Sequence, residues 1–428
     1  MNRKNSGYES IAESLPEAAR ESLDELVRAG AQRMLEIALE TEVAAYVEQY
    51  GQARDGRGHA MVVRNGRAQE RSVATGAGVL QIRSPRVNDR RAGERFTSAF
   101  LPPYMRKSPR LEEALPVLYL RGLSSGDVGP GLEALLGPSA RGFSATTITR
   151  LKEAWKEEYR LWRKRELSGQ PYAYIWADGV NFPVRLETDN LKCLVLVGVT
   201  GDGRKEIIAI EEGYRESEEA WATLLRDLKR RGLKAPLLAM GDGSLGFWNA
   251  LGDIFPEVGQ QLCWKHKLAN VLDKLPKRLQ GQAKAHLHEI MYAPDRATAK
   301  AEIKTFQDTY EAKYPKAVAS LTDNLDRLLT FFDFPAEHWV HLRTTNPIES
   351  TFGTVKARTK KTRGAGSRAA GLAMAFKLME AAELRWRKVN APHLVAAVLH
   401  GVQFKDGELV RTEPAASSTD QDQDRVAA

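Results

Sequence analysis

Two stretches of this chain drive a carboxylate out of an apolar run. In YAYIWADG (172–179), Tyr172, Tyr174, Ile175 and Trp176 read as a buried strand, Asp178 stands at its C-terminal end and Gly179 breaks the pattern. PLLAMGDG (236–243) repeats the arrangement with Asp242 and Gly243. A carboxylate at the edge of a core costs free energy unless something pairs with it. Asp-Gly is also a common turn pair, and at Asp202-Gly203 that is the reading, because the strands KCLVLVGVT and KEIIAIEEG flank it. Asp242 differs, since GFWNALGDIF downstream of it reads as a helix. HLRTTNPIES (341–350) supplies a third acid: Asn346 suits an N-cap, Pro347 a first helical position, and Glu349 then falls at the third. Alone, Glu349 reads as a capping-box acid folded back on the Asn346 N–H. Three acids at element termini can instead hold two divalent cations, Mg²⁺ or Mn²⁺, because such hard ions prefer oxygen ligands. Two such ions can activate the attacking oxygen and stabilise the leaving one in a phosphodiester displacement.

The elements that must position these acids follow from periodicity. From Tyr172 the order is three strands, helix, strand, helix, strand, then mostly helices to about residue 335. SEEAWATLLRDLKRRG is the amphipathic helix between the third and fourth strands, ending at Gly232. With the first and fourth strands side by side, Asp178 and Asp242 point into one cleft at the strand ends, where open sheets place their sites.

Upstream, residues 1–50 carry a helical pattern and LSGQP (167–171) reads as a linker. Residues 51–110 are Arg-rich, with 13 Arg or Lys against 4 acids, and read as small β structure or an extended arm that contacts nucleic acid. Residues 111–167 give three helices, with a kink or early stop expected at Pro116 and an N-cap at Ser144. They are compatible with a helix-turn-helix whose recognition helix opens with Thr146, Thr147, Thr149 and Arg150 facing DNA, or with an ordinary helical bundle. Residues 404–428 read as a disordered tail.

Bulk properties narrow the class. The 428 residues are 43% hydrophobic with a formal charge of +8, enough for a substantial core and consistent with a polyanionic partner. No run approaches the roughly 18 apolar residues of a membrane span, and the first residues lack a signal-peptide core. Two cysteines, Cys193 and Cys263, suit a reducing cytoplasm. Localisation is expected to be cytoplasmic and nucleoid-associated, with no membrane partner.

The run ADG, the GDG after a second strand, CWKH, YAPDRATAKAEI and FFDFPAEHWVHLRTTNPIES together resemble the bacterial mutator-type transposases, the IS256 family, across most of the chain. The resemblance implies an α/β fold: an RNase H-like mixed-sheet catalytic core at 171–390 with a helical insertion at about 267–337, preceded by helical DNA-binding regions including a helix-turn-helix. It implies a DDE triad at Asp178, Asp242 and Glu349, which would be both catalytic and metal-binding residues for two Mg²⁺ (or Mn²⁺) ions. Where relatives often read Asp-Ala-His, this chain has Asp242-Gly243-Ser244, which removes a local His but keeps the acid. Cys263-x-x-His266 matches an element these transposases share; as a zinc site it lacks two of four ligands, so it is assigned a structural or DNA-positioning role. Trp264 beside it is expected to pack. Arg343, Lys356, Arg358, Lys360, Lys361, Arg363 and Arg368 surround Glu349 and are expected to neutralise the DNA backbone. The expected function is a DNA transposase that binds the terminal inverted repeats of an insertion sequence, cleaves, and transfers the freed 3′-OH to target DNA, as a homodimer or larger assembly. The competing readings are a non-catalytic DNA-binding regulator and an RNase H-like nuclease that cuts without joining.

Overall fold

A computed structural model describes residues 17–120, 122, 128–136, 145–185, 187–213, 217–243, 246–361 and 364–410. The chain divides into two compact units, Met1–Glu153 and Ala154–Ala428.

The first unit begins with a long helix, α1 (Glu17–Gln49). The basic stretch after it is folded β structure: β1 (Val62–Arg67) pairs antiparallel with β4 (Pro85–Asp89), and β2 (Arg71–Thr75) with β3 (Gly78–Ile82). Leu39 of α1 packs with Val73, Leu80, Ile82 and Leu101 in a small core. Three helices follow, α2 (Pro109–Leu120), α3 (Val128–Leu136) and α4 (Ala145–Trp162), the last crossing into the second unit. α2 does not stop at Pro116 but runs on for another turn to Leu120. Ser144, with the whole segment 137–144 before α4 and all but Gly122 of 121–127, lies outside the described residues, so the turn of a helix-turn-helix does too.

The second unit is built on one five-stranded sheet in the order β7-β6-β5-β8-β9. These strands are β5 (Tyr172–Phe182), β6 (Leu191–Thr200), β7 (Lys205–Glu212), β8 (Leu238–Gly241) and β9 (Gly259–Leu262). Apolar runs with few polar interruptions suit strands covered on both faces, and β5 and β6 are buried over nearly their full length. β5, β6 and β7 form an antiparallel meander. Its second turn is the Asp202-Gly203 hairpin, with Gly203 at φ +80°, a conformation that glycine adopts without steric cost. β8 and β9 then add parallel to β5, which requires crossover helices: α5 (Glu218–Arg230), capped by Ser217, and α6 (Phe247–Ile254). The first and fourth strands of this unit are therefore neighbours, the arrangement that would bring Asp178 and Asp242 together.

Beyond β9 come α7 (Trp264–Leu272), α8 (Lys277–Met291), α9 (Arg296–Tyr310), α10 (Pro315–Thr322), α11 (Leu325–Leu328) and α12 (Trp339–Leu342). The chain then returns to the sheet with α13 (Asn346–Lys361), which packs on β5, and α14 (Arg368–Glu383), which packs on β6 and β7. α15 (His393–Leu399) also packs on β5. The tail expected to be disordered from 404 begins with a hairpin, β10 (Phe404–Lys405) against β11 (Glu408–Leu409). Its turn is a further Asp-Gly pair, with Asp406 at φ 48° and Gly407 at φ 82°, as a tight hairpin turn demands. Asp406 Oδ1 accepts from the Arg296 N–H at 2.8 Å, and the Gly407 N–H donates to Phe332 O at 3.2 Å, which fastens the turn to the helical region. Residues 411–428 lie outside the described residues.

Candidate active site

Strand register brings the first two acids together. Trp176 pairs with Met240 across β5 and β8, and Gly241 pairs with Leu262 across β8 and β9. Extended two positions beyond Trp176 and Met240, this register sets Asp178 beside Asp242; extended one position beyond Gly241 and Leu262, it sets Cys263 beside Asp242. Neighbouring strands are about 4.8 Å apart, so Asp178 and Asp242 are neighbours just past the last β5–β8 pair. Asp178 does not end its strand as the sequence suggests, because antiparallel β6 goes on supplying backbone partners, Asp178 pairing with Val195 and β5 running on through Gly179 to Phe182. Both residues are half-buried. Asp178 Oδ1 accepts the backbone N–H of Gly179 at 2.7 Å. Asp242 is anchored through its backbone, its carbonyl accepting the Trp248 indole N–H at 2.7 Å.

Glu349 enters on α13. That helix starts one residue earlier than the sequence suggests: the carbonyl of Thr345 accepts the first bonds, from Ile348 N and Glu349 N at 3.0 Å each, so Thr345 rather than Asn346 caps it. The Asn346 N–H goes to Thr344 Oγ1 at 3.4 Å, and the Glu349 carboxylate is engaged elsewhere. Thr345 Oγ1 donates to Glu349 Oε1 at 2.8 Å, Lys265 forms an ion pair with Oε2, and His266 Nε2 lies 3.9 Å from Oε1. Burial pushes the Glu349 carboxyl up, but the Lys265 ammonium, the Thr345 hydroxyl and His266 outweigh it and hold it below the usual range.

Cys263 ends β9 and caps α7, with its N–H on Gly241 O at 2.9 Å. His266 lies three residues on, one helical turn away. The thiol receives the Thr345 N–H at 3.4 Å, and Thr345 Oγ1 is also 3.4 Å from the sulfur. Burial would raise the Cys263 thiol, yet His266 and Thr345 bring it below its ordinary value. His266 is pushed up to about 9, chiefly by Cys263 against the opposing effect of burial, with the negative fields of Asp242 and Glu349 adding to it. The imidazole therefore feels both Asp242 and Glu349, and the ligand atoms of Cys263, His266 and Glu349 all lie within 4.8 Å of one another. Trp264 packs as expected: it is fully buried and donates its indole N–H to Leu328 O at 3.1 Å.

The basic residues around Glu349 divide sharply. Lys356 and Lys360 are exposed and share its face of α13, at spacings of seven and eleven residues. Arg343 does not present itself to DNA: it is 8% exposed, with its guanidinium 4.7 Å from the Phe331 ring and 5.2 Å from those of Tyr292 and Trp339. Burial pushes it down to about 10. Arg358 is likewise buried, at 3% exposure, on the packed side of α13. Arg368 is tied to Glu187 and Glu212 at the start of α14. The side chain of Lys361, and Arg363 altogether, lie outside the described residues. In the first unit, Thr149 and Arg150 are exposed on α4 and Thr147 is half-buried, while the Thr146 side chain lies outside the described residues. Sequence reasoning missed Lys265 and Thr345, the two groups that hold Glu349. A lysine inside CWKH and a threonine before an N-cap carry no local signal of that role.

The chain is matched over residues 3–388 by the family model described as "Transposase, Mutator family". It is 57% identical over 300 residues to the transposase for insertion sequence element IS6120 of Mycolicibacterium smegmatis, covering 70% of this chain and 93% of that protein. It is 46% identical over 284 residues to the transposase for element IST2 of Acidithiobacillus ferrooxidans, covering 64% and 94%. Against the transposase for element IS256 in transposon Tn4001 of Staphylococcus aureus it is 30% identical over 297 residues, covering 68% and 74%.

Proposed function

This chain belongs to the Mutator family of transposases and is a DNA transposase, and from that premise we propose that Asp178, Asp242 and Glu349 form its catalytic DDE triad on an RNase H-like core. The observation that carries this reading is the strand register, which, extended past Trp176 and Met240, sets Asp178 beside Asp242, while Glu349 of α13 lies with Cys263 and His266 just beyond β9, where His266 feels both Asp242 and Glu349. The sheet order, with an antiparallel meander extended by two strands parallel to β5, supports the RNase H-like assignment.

Half-buried carboxylates from three elements are the donor set that hard divalent ions take, so these residues fit two Mg²⁺ or Mn²⁺ ions. When bound, such ions lower the pKa of the attacking water and offset charge on the phosphate. The protein's own part is positional. Asp178 is fixed by its pairing within the sheet, Asp242 by the Trp248 indole on its carbonyl, and Glu349 by Thr345 and Lys265. In the first step water attacks phosphorus at the element end and the bond to the 3′-oxygen breaks. The freed 3′-OH then attacks a target phosphodiester by the same in-line displacement. No protein–DNA covalent intermediate is formed, so no Ser or Tyr nucleophile is assigned.

DNA is reached through several surfaces in this reading. They are the exposed Lys356 and Lys360 beside Glu349, the arginines of the β1–β4 region, and α4 with Thr149 and Arg150 as the recognition helix of a helix-turn-helix. Two element ends must be joined in one event, which calls for a homodimer or larger assembly on DNA. Among the described residues no helix is long and apolar enough to cross a membrane. The proposed place of action is the cytoplasm, at the nucleoid.

The test is strand cleavage and joining on DNA carrying the ends that flank the gene, in Mg²⁺ or Mn²⁺, with Asp242→Asn as control. Metal-dependent joining that is lost in Asp242→Asn while DNA binding survives is the expected result. Cleavage without joining would make the chain a nuclease, and binding without cleavage under any metal would make it a regulator. Cleavage indifferent to Asp242→Asn would remove the triad.

A further inference from the structure

From sequence, Cys263-x-x-His266 is half a metal site; the fold supplies a third ligand from 83 residues beyond His266, and we propose that Cys263, His266 and Glu349 bind one Zn²⁺ ion. The inhibitory consequence drawn below rests on Glu349 belonging to the proposed triad; the site itself does not.

Each ligand is set by backbone rather than by a mobile loop. Cys263 closes β9 and caps α7, His266 follows in the first turn of α7, and Glu349 sits in the first turn of α13. Their ligand atoms already lie within 4.8 Å of one another. Zinc bonds of about 2.0–2.3 Å in tetrahedral array need ligand atoms roughly 3.3–3.6 Å apart. The closure required is at most about 1.5 Å, within the reach of side-chain torsions.

The two carboxylate oxygens of Glu349 are already divided. Oε2 is taken by Lys265, while Oε1 faces Thr345 and His266, 3.9 Å from the ring nitrogen Nε2. His266 Nδ1 is buried and makes no hydrogen bond of good geometry, and the ring's interactions are with Cys263 and Glu349, the two other ligands. Thr345 contacts both the Cys263 sulfur and Oε1, the kind of supporting partner that orients metal ligands. A sulfur, nitrogen and oxygen set matches zinc and not magnesium, which takes oxygen alone. Three protein ligands leave the fourth position for water.

An ion in this site occupies Glu349 Oε1. Zinc therefore withdraws the third acid of the proposed triad, and the site acts as an off-switch for Mg²⁺-dependent cleavage.

The experiment is a Co²⁺ titration of full-length, chelator-treated, reduced protein without DNA or Mg²⁺. The expected result is a near-ultraviolet thiolate-to-cobalt charge-transfer band that saturates at one equivalent and is erased by Zn²⁺. Cys263→Ser should abolish it, and His266→Gln and Glu349→Gln should each weaken Co²⁺ binding roughly 10–100-fold or more. Because Cys263 is buried, its variant is read only with an unchanged circular dichroism spectrum; His266 is partly exposed and gives the second reading. His286, Glu289 and Glu302 also cluster, but they carry no sulfur and cannot produce the band. Absence of the band, its survival in Cys263→Ser, or an affinity untouched by Glu349→Gln would overturn the site. Zinc-filled protein that still cleaves DNA would instead remove Glu349 from the triad and leave the zinc site standing.

Discussion

Thr345 is a single hydroxyl with two clients, the Glu349 carboxylate at 2.8 Å and the Cys263 sulfur at 3.4 Å. Thr345→Val keeps its shape and deletes that link. A lost neutral hydrogen bond costs about 1 kcal/mol of stability, while loss of a partner that orients a metal ligand lowers activity roughly 10–100-fold. Thr345→Val is therefore expected to bind DNA normally and cleave slowly, with Thr345→Ser restoring most of the rate; single-turnover cleavage at saturating DNA checks this. A second contrast separates basic residues that look alike in sequence. Arg343 is enclosed by Tyr292, Phe331 and Trp339, and a desolvated cation–π contact contributes about 2 kcal/mol or more. Arg343→Ala should lower stability by at least that much in urea unfolding and leave the salt dependence of DNA binding unchanged. Lys356→Ala and Lys360→Ala should do the reverse, each lowering the slope of log K against log salt by about 0.9 if it neutralises one phosphate.

At the level of elements, β5 is held by a short segment of the chain as well as by its neighbours in the sheet. The Tyr174 hydroxyl meets His338 Nδ1 at 2.7 Å, and the Trp176 indole donates to His341 O at 3.1 Å. His341 Nε2 accepts the Asn390 N–H at 3.1 Å, which only a ring unprotonated at that nitrogen can do. Burial, with Lys205 adding positive charge, pushes His341 down to about 4, and burial lowers His338 as well. An unfolded histidine titrates near 6.5. Between about pH 6.5 and 4 the unfolded chain therefore binds the extra proton, and stability falls as pH falls across that window. The melting temperature of His341→Gln, which keeps an acceptor for Asn390, should decline less than that of the parent between pH 7 and 4; parallel curves would dismiss this histidine as the sensor. The same elements show what periodicity can and cannot disclose. The succession of strands and helices and the position of Asp242 just past its strand were legible because apolar runs and Asp-Gly breaks are local signals, but at Asp178-Gly179 the same signal misled, since pairing with β6 carries β5 on to Phe182. On α13 the buried series Ile348, Phe352, Val355 and Thr359 was equally readable, and it already places Arg358 at the edge of the packed face. The cage around Arg343 and the contacts of Lys265 were not legible, since their partners lie tens of residues away and depend on how the helices between β9 and α13 fold back.

For the molecule as a whole, the charge of +8 overstates what the basic stretch offers to DNA. Of its arginines, Arg64 and Arg67 share Glu40, Arg83 pairs with Glu70 and Arg91 with Asp89. Those pairs organise the β1–β4 region, a role invisible in a count of charges, and they explain how so basic a stretch folds instead of remaining an arm. Arg54, Arg57 and Arg86 are exposed on the same unit and have the better claim to phosphate contact. Phosphate contacts set affinity and its salt dependence but not the chemistry at the carboxylates. The full-length triple variant Arg54→Ala/Arg57→Ala/Arg86→Ala should accordingly bind DNA more weakly at every sequence, with the salt slope reduced by about 0.9 for each arginine that had neutralised a phosphate. Its cleavage rate at saturating DNA should equal that of the parent. Asp242→Asn should give the mirror image, an unchanged slope and no cleavage. Salt titrations and single-turnover cleavage on the same DNA read both variants; a triple variant with an unaltered slope would move the DNA contact of this unit away from the β1–β4 region, to the exposed side of α4. Separation of the two effects into two sets of residues is what a molecule must show if one unit holds the DNA and the other cuts it.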